Sequence, residues 1–304
     1  MVGRFRRLIL DIYERSLERE ISDPPRHVAV IQDGNRRYAR ASGDDVTTGH
    51  RVGAKTTERV LEWCRDIGIT ELTLYAFSTE NFDRPESEQE HLFDLISEKL
   101  FELADQQEIH EERVRISAIG ELGLLPERVQ RAASYAEERT SQYDSFRLNI
   151  ALAYGGRAEI VTAARSIARA VDAGDLSPTD IDADAIEARL YDGVVTDVDL
   201  IIRTGGDERT SNFLPWHANG NEAAVYFCHP YWPEFSKRDF LRAIRTYEYR
   251  EALWRQSRAE RALSLLRAFG EQDLPKARSI LGGVASDSTQ GRQVVEAGVP
   301  ESAD

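Results

Sequence analysis

A chain of 304 residues with 41% hydrophobic side chains can fill one large core or two modest ones, which excludes a wholly disordered protein. Its 53 acidic against 39 basic residues leave a net charge of -14, and only four basic residues, Lys55, Lys99, Lys237 and Lys276, are lysines. A surface of that sign excludes a general nucleic-acid-binding role and suits solubility in concentrated salt, as in a halophilic protein, although a merely acidic mesophilic one has the same bias.

The first 25 residues predict an amphipathic helix, with Phe5, Leu8, Ile9, Ile12, Tyr13 and Leu17 at helical spacing beside Arg4, Arg6 and Arg7. The apolar run within it is too short for a signal-peptide core or a membrane span, so a cytoplasmic compartment is expected; the helix can pack on its own domain or rest on a membrane surface. From there strands are expected at residues 27–32, 71–77, 114–119, 146–152, 200–202 and 225–228, and helices at 53–66, 88–103, 126–140 and 158–171. That alternation predicts a single α/β domain over residues 26–270, with a mainly parallel central sheet flanked by helices. Cys64 and Cys228 stand far apart without CxxC spacing or a histidine cluster and read as small core side chains. Residues 271–304, containing GGVASDSTQGR and AGVPESAD, read as a flexible tail without chemistry.

Ligands of open parallel sheets sit beyond the carboxyl ends of the strands, and the polar motifs fall there. VIQ is followed by DGNRR, LYAF by STENFDRP, IAL by AYGGR and LIIRT by GGDERTSN. Asp-Gly-Asn alone is ordinary turn chemistry. Followed by the start of a helix and by Arg36 and Arg37, it becomes a place where free backbone N–H groups and guanidinium groups can hold a phosphate. Arg203, Arg209 and Ser211, set among glycines, supply a second group of charge-assisted donors, unless those arginines simply pair with Asp207 and Glu208. Neither loop fits GxxxxGK[ST], and no GxGxxG follows a strand, which excludes the common nucleotide-binding patterns. Two phosphate loops at one end of one sheet imply a polyphosphate or two phosphorylated substrates. The helix at 88–103 carries Leu92, Phe93, Leu95, Ile96, Leu100 and Phe101, a face that is core in most proteins; lining a cavity, it would suit a diphosphate with a hydrocarbon tail.

Taken together, HVAVIQDGNRRYAR, GHRVGAK, LTLYAFSTENFDRP, LNIALAYGGRAEI, VDLIIRTGGDERTSNFLPW and YWPEF, spread over residues 26–240, resemble the cis-prenyltransferases, the family of undecaprenyl and dehydrodolichyl diphosphate synthases. The resemblance implies a parallel-sheet α/β fold with a hydrophobic tunnel and a homodimer. It also implies peripheral membrane contact for product release and successive addition of isopentenyl diphosphate to an allylic prenyl diphosphate with Mg²⁺. An archaeal member would start from geranylgeranyl diphosphate and make a chain of about undecaprenyl length, the precursor of a glycosyl carrier lipid. Carried over by position, Asp33 is the essential carboxylate at the metal, and Gly34, Asn35, Arg36, Arg37 and Tyr38 wrap the allylic diphosphate. His50 is a further substrate-binding position. Ser78, Thr79, Glu80, Asn81, Phe82 and Arg84 form the loop that holds the allylic substrate, with Asn81 catalytic, as an orienting group rather than a base. Arg203, Arg209, Thr210 and Ser211 form the isopentenyl diphosphate site.

Several positions depart from the bacterial pattern. Tyr38 stands where tryptophan is common, Gln32 replaces the methionine before DGN, Val46 replaces an arginine, and Glu208 replaces a histidine near the metal. Glu222 keeps the metal glutamate's distance from Trp216; an insertion ahead of it would instead put Ala224 at that position and leave Mg²⁺ to Asp33, the diphosphates and water. The competing reading is a non-catalytic partner subunit of a hetero-oligomeric prenyltransferase, which would be expected to lack DGN and the arginines retained in this sequence.

Overall fold

A computed structural model describes residues 2–190, 195–219 and 223–269. It divides into two compact units, Met1–Tyr247 and Glu248–Asp304. The first is built on a six-stranded sheet in the order β3-β4-β2-β1-β5-β6, with every pairing parallel. The strands are β1 (His27–Ile31), β2 (Glu71–Tyr75), β3 (Val114–Ile119), β4 (Phe146–Ala151), β5 (Leu200–Arg203) and β6 (Ala224–Phe227). All five residues of β1 are buried, as in a central parallel strand covered on both faces, and the edge strand β3 exposes Arg115.

Alternate residues along each strand feed two cores. Val28, Val30, Leu72, Leu74, Leu148, Ile150, Leu200 and Ile202 face one, and Ala29, Ile31, Ala151 and Ile201 face the other. The first core is closed by α3 (Val46–Asp66), α4 (Glu86–Asp105), α5 (Gln107–Glu111), α6 (Glu127–Thr140) and the first turns of α10 (Lys237–Phe269). The second is covered by α7 (Gly156–Ala173) and by Leu190, Val195, Val198, Phe213 and Leu214. Short helices α8 (Ala183–Glu187) and α9 (Pro215–Asn219) lie between β4 and β6 in the chain.

The amino-terminal helix α1 (Val2–Glu20) buries Leu17 and leaves Ile12 and Tyr13 exposed. Ion pairs tie it to α10: Glu14 to Arg238 at 3.2 Å, Glu18 to Lys237 at 2.7 Å and Glu20 to Arg245 at 2.8 Å. The helix therefore packs on its own domain. Among the described residues no helix is long and apolar enough to cross a membrane. In the second unit α10 continues with Tyr249, Leu253 and Trp254 exposed and the Arg258 guanidinium 4.3 Å from the Trp254 ring centre.

The helix expected at 53–66 begins seven residues earlier, at Val46, because Asp45 caps it: its carboxylate accepts from the Thr48 N–H at 2.8 Å. Thr47, Thr48, Gly49 and Gly53 are poor helix formers, which hid that first stretch. On α4, Leu92, Phe93, Leu95 and Leu100 are buried and Ile96 packs partly against them, but Phe101 lies outside that face, 41% exposed and against Tyr135. Cys64 and Cys228 are both buried free thiols in the first core.

A polar network lies under the amino-terminal ends of the strands. The His27 Nδ1–H donates to the carbonyls of Thr196 and Asp197 at 3.0 and 3.2 Å, which leaves Nε2 to accept from the Thr73 hydroxyl at 2.7 Å. The Glu71 carboxylate accepts from Asn149 at 2.8 Å and from the Thr196 hydroxyl at 2.7 Å. These bonds fasten the chain entering β5 to β1, β2 and β4.

Candidate functional site

Strand β1 has β2 on one side and β5 on the other, so the crevice between the carboxyl ends of β1 and β5 is the switch point of the sheet. Register places Ile31 beside Arg203, which brings the next residues of each strand, Gln32-Asp33-Gly34 and Thr204-Gly205, face to face. The backbone there is locked: the Asp33 N–H donates to the Thr204 hydroxyl at 3.0 Å, and that hydroxyl donates to the Asp33 carbonyl at 2.7 Å.

Helix α2 (Asn35–Ser42) starts immediately after this turn, and its cap residue Gly34 offers no side chain to the free N–H groups. Gly34 has φ 103°, and a Cβ there would lie 2.6 Å from the Tyr231 ring. Gly205 has φ 86°, and a Cβ would lie 2.6 Å from Arg37 Nη2. Only glycine gives both the left-handed backbone and the close approach of the two loops.

The Asp33 carboxylate receives Arg37 Nη2 on one oxygen at 2.9 Å and Arg203 Nη2 on the other at 2.7 Å. Burial works against its ionisation, but the hydrogen bonds from Arg203 and Arg37 outweigh it and hold the carboxyl below the usual range. Arg203 is almost fully buried and also donates to Asp207 at 3.1 Å, to the Ser211 hydroxyl at 2.6 Å and to the Arg209 carbonyl at 2.5 Å. Arg209 is exposed and donates to Asp207 at 2.9 Å and to the Ser211 hydroxyl at 3.3 Å. Pairing of both loop arginines with Asp207, one of the two sequence expectations, is thus present, and it coexists with convergence on Asp33. Asp207 also lies 3.9 Å from Arg37, so one carboxylate serves three guanidinium groups.

A second charged cluster centres on Glu88, which sequence reasoning missed because it is one acid among many at the start of α4. Its carboxylate lies 2.8 Å from Arg84, 3.6 Å from Arg36 and 3.8 Å from His50 Nε2. Burial first, and then the Arg84 charge, push the His50 imidazole down to about 4 against the pull of Glu88, so it is neutral at pH 7. Ser78 and Asn81 form a capping box on the 3-10 turn Thr79–Asp83, with Asn81 Oδ1 accepting from the Ser78 N–H at 3.1 Å. Phe82 packs on Phe77 at 5.0 Å, Glu80 is exposed, and Tyr38 and Thr210 are half-buried. Asn35 lies against α3, where a Cβ at Gly53 would come within 2.2 Å of its Oδ1, and its Nδ2 donates to the Gln32 carbonyl at 3.4 Å.

Tyr231 is a second residue missed from sequence. Its ring lies 5.5 Å from the Arg37 guanidinium, and the Trp232 N–H donates to the Asp33 carbonyl at 3.0 Å. The YWPEF motif was the signal for it. Glu222 lies outside the described residues. Among those described, no group of three or more His, Cys, Asp or Glu side chains is placed to hold a metal ion. The donor set suits a cation that keeps much of its water: Asp33 offers an ionised, part-exposed carboxylate, and Mg²⁺ is commonly bound by one or two carboxylates together with substrate phosphates.

An open sheet that brings two arginine- and glycine-bearing loops onto one carboxylate at its switch point defines an α/β protein with a charged cluster at the place where such sheets take their ligands. A family model described as putative undecaprenyl diphosphate synthase matches residues 31–254, and the chain belongs to that family, the cis-prenyltransferases. It is 68% identical over 270 residues, 89% of each chain, to the tritrans,polycis-undecaprenyl-diphosphate synthase (geranylgeranyl-diphosphate specific) of Halobacterium salinarum. It is 59% identical over 298 residues to the protein of the same name from Haloarcula marismortui, covering 97% of this chain and 98% of that one. Among solved structures, it is similar to lavandulyl diphosphate synthase from Lavandula x intermedia in complex with dimethylallyl diphosphate, with a TM-score of 0.69 and 35% identity over 74% of this chain and 95% of the other.

Proposed function

We propose that the chain is a Z-polyprenyl diphosphate synthase that adds isopentenyl diphosphate repeatedly to geranylgeranyl diphosphate, giving a diphosphate of about undecaprenyl length that serves as precursor of a glycosyl carrier lipid. The observation that carries this reading is the contact of Asp33 with Arg37 on one oxygen and Arg203 on the other, which joins an allylic-side loop to an isopentenyl-side loop. The names of the relatives support the starter and the length.

In this reading Gly34, Asn35, Arg36 and Arg37 hold the allylic diphosphate with the N–H groups that open α2, and His50, Thr79, Phe82 and Arg84 complete its surroundings. Arg203, Arg209, Thr210 and Ser211 hold isopentenyl diphosphate. The homoallylic double bond attacks C1 of the allyl group, the C1–O bond breaks with its electron pair leaving on diphosphate, and the resulting tertiary cation loses a proton from C2 to restore a double bond. Arg36 and Arg37 stabilise the charge gathering on the leaving diphosphate. Asn81 orients the reacting groups: its carboxamide oxygen is engaged by the Ser78 N–H and an amide is a weak base, so a diphosphate oxygen takes the proton. Mg²⁺ held at Asp33, with Glu222 as the candidate second ligand, would supply charge neutralisation to the diphosphate oxygens.

Ile96 of α4 and Phe82, whose ring lies 6.4 Å from that of Phe93 on α4, pack partly buried against the first core, and in this reading a tunnel for the growing chain would run beside them. A homodimer in the cytoplasm, touching the membrane to release product, completes the reading. The non-catalytic subunit reading is disfavoured by the intact set Asp33, Asn35, Arg37, Asn81, Arg203, Arg209 and Ser211.

The test incubates purified protein in concentrated KCl with Mg²⁺, labelled isopentenyl diphosphate and geranyl, farnesyl or geranylgeranyl diphosphate, with products sized by mass spectrometry. Elongation fastest from geranylgeranyl diphosphate is expected. Folded protein that extends none of the starters would sink the proposal.

A further inference from the structure

The turn Tyr154-Gly155-Gly156-Arg157, from the AYGGR motif, contains none of the residues assigned to substrate, yet both diphosphate loops meet on it. On one side the Thr79 N–H donates to the Tyr154 carbonyl at 3.0 Å, and the Tyr75 hydroxyl donates to the same carbonyl at 3.3 Å. On the other, Asn212 accepts twice: its backbone carbonyl from the Gly156 N–H at 3.0 Å and its carboxamide oxygen from the Arg157 N–H at 2.9 Å. Helix α7 begins at Gly156, and its cap residue Gly155 has no side chain to offer. Asn212 therefore caps α7 from a loop far away in sequence.

The fit leaves no slack. A Cβ on Gly156 would lie 2.1 Å from Pro215 Cδ and 2.9 Å from the Asn212 carbonyl oxygen, and one on Gly155 would lie 2.9 Å from Thr79 Oγ1. Asn212 has φ 61°, a left-handed conformation that asparagine adopts more readily than most residues, and its neighbour Ser211 has φ 49°. Ser211 carries the hydroxyl that receives Arg203 and Arg209, and Phe213, the next residue after Asn212, stacks on Tyr75 with ring centres 4.4 Å apart. The chain around Ser211 is thus held by the α7 terminus and by an aromatic stack, while its hydroxyl and Arg203 face the switch point.

We propose that Asn212 is a positioning residue for the isopentenyl side of the reaction. By capping α7 with its carbonyl and its carboxamide, it sets the place of the Ser211 hydroxyl, and through that hydroxyl the guanidinium of Arg203. This role rests on the assignment of Arg203, Arg209 and Ser211 to isopentenyl diphosphate. On the allylic side Thr79 reaches this turn through the Tyr154 carbonyl, ahead of the Gly156 and Arg157 amides that Asn212 receives, while Arg37 and Asn35 bond to Asp33 and the Gln32 carbonyl, so loss of Asn212 falls mainly on the isopentenyl side.

The test has two independent readouts on four proteins: wild type, Asn212→Ala, Asn212→Gly and Asn212→Asp. Hydrogen exchange measures protection of the Gly156 and Arg157 amides without reference to activity. Steady-state kinetics with Mg²⁺ measures KM for isopentenyl diphosphate at saturating geranylgeranyl diphosphate, and the reverse. Asn212→Ala is expected to expose the Arg157 amide and raise KM for isopentenyl diphosphate about tenfold, the scale of a lost hydrogen bond with a donor left open, with KM for the allylic substrate changed less than about twofold. Asn212→Gly keeps the left-handed backbone without the acceptor and is expected to behave likewise, which answers the question if the alanine variant does not fold. Asn212→Asp keeps the acceptor and is expected to retain Arg157 protection and a smaller rise in KM. Unchanged protection in the glycine variant, equal rises in both KM values, or an aspartate variant no better than alanine would each overturn the proposal. Failure of the wild type to elongate would instead overturn the functional reading, and exchange would still decide whether Asn212 caps α7.

Discussion

Arg203 and Arg209 look alike in the sequence, but the fold gives them different work. Arg203 is 4% exposed and its guanidinium is spread over Asp33, Asp207, Ser211 and a carbonyl, an arrangement that needs a planar fork of donors. Arg209 reaches Asp207 and Ser211 from the surface. Arg203→Lys should therefore lower kcat/KM for isopentenyl diphosphate by about tenfold or more, and Arg209→Lys by clearly less, as read from initial rates. Asp33→Ala should remove about 99% or more of the turnover while the circular dichroism spectrum stays native, because in the proposed mechanism its carboxylate organises charge at the reacting centre, and it belongs to neither core. Near-normal turnover would refute that role. Tyr231→Leu removes the ring beside Arg37 and should raise KM for the allylic substrate about two- to five-fold, as expected for a loss of about 0.5–1 kcal/mol.

At the scale of elements, the approach of α2 to α3 decides where Asn35 and Arg36 stand. Gly49 and Gly53 make room for it: a Cβ on Gly49 would lie 2.3 Å from the Asn35 carbonyl oxygen, and one on Gly53 would lie 2.9 Å from Trp232 as well as against Asn35. The Trp232 indole N–H donates to the Gly53 carbonyl at 2.8 Å, so the same helix turn also seats the YWPEF segment under Asp33. Gly53→Ala should overpack this junction by about 1–3 kcal/mol and lower the melting temperature by roughly 3–10 °C in calorimetry. The strands were legible in the sequence because each is a short apolar run, and their observed ends fall within two residues of those expected. The start of α3 was not, since its first turns are rich in threonine and glycine, whose helical state depends on the Asp45 cap and on α2.

For the molecule as a whole, two buried histidines make acid the weak side of its stability. His50 is pushed down to about 4 by burial and by Arg84, with Glu88 opposing and His91 assisting; His27 is lowered by burial, with Glu71 and Asp199 opposing. Both are neutral in the fold and take a proton near 6.5 when unfolded, so the unfolded chain binds more protons below that pH. Stability present above about pH 6.5 is lost as the pH falls toward 4, with His50 contributing on the order of 3 kcal/mol of that loss. Melting temperature measured from pH 7 to 4.5 should fall, and His50→Gln should flatten the slope. The net charge of -14 acts in the same molecule through self-repulsion, which salt screens. Raising KCl from about 0.1 to 2 M should raise the melting temperature, and a fall would count against the halophilic reading.

The sequence by itself determined the alternation of strands and helices, the loops that carry the chemistry and the family, because apolar periodicity and contiguous motifs are properties of neighbouring residues. It also placed Asp33, Arg37, Arg203 and Ser211 among the candidates. Only the tertiary structure decided that Arg203 reaches Asp33 across 170 positions of chain, that Glu88 gathers Arg36, Arg84 and His50, that Tyr231 lies beside Arg37, and that Asn212 caps α7. Those pairings depend on the register of β1 against β5 and on how closely glycines let the loops approach, and neither is written in any local stretch.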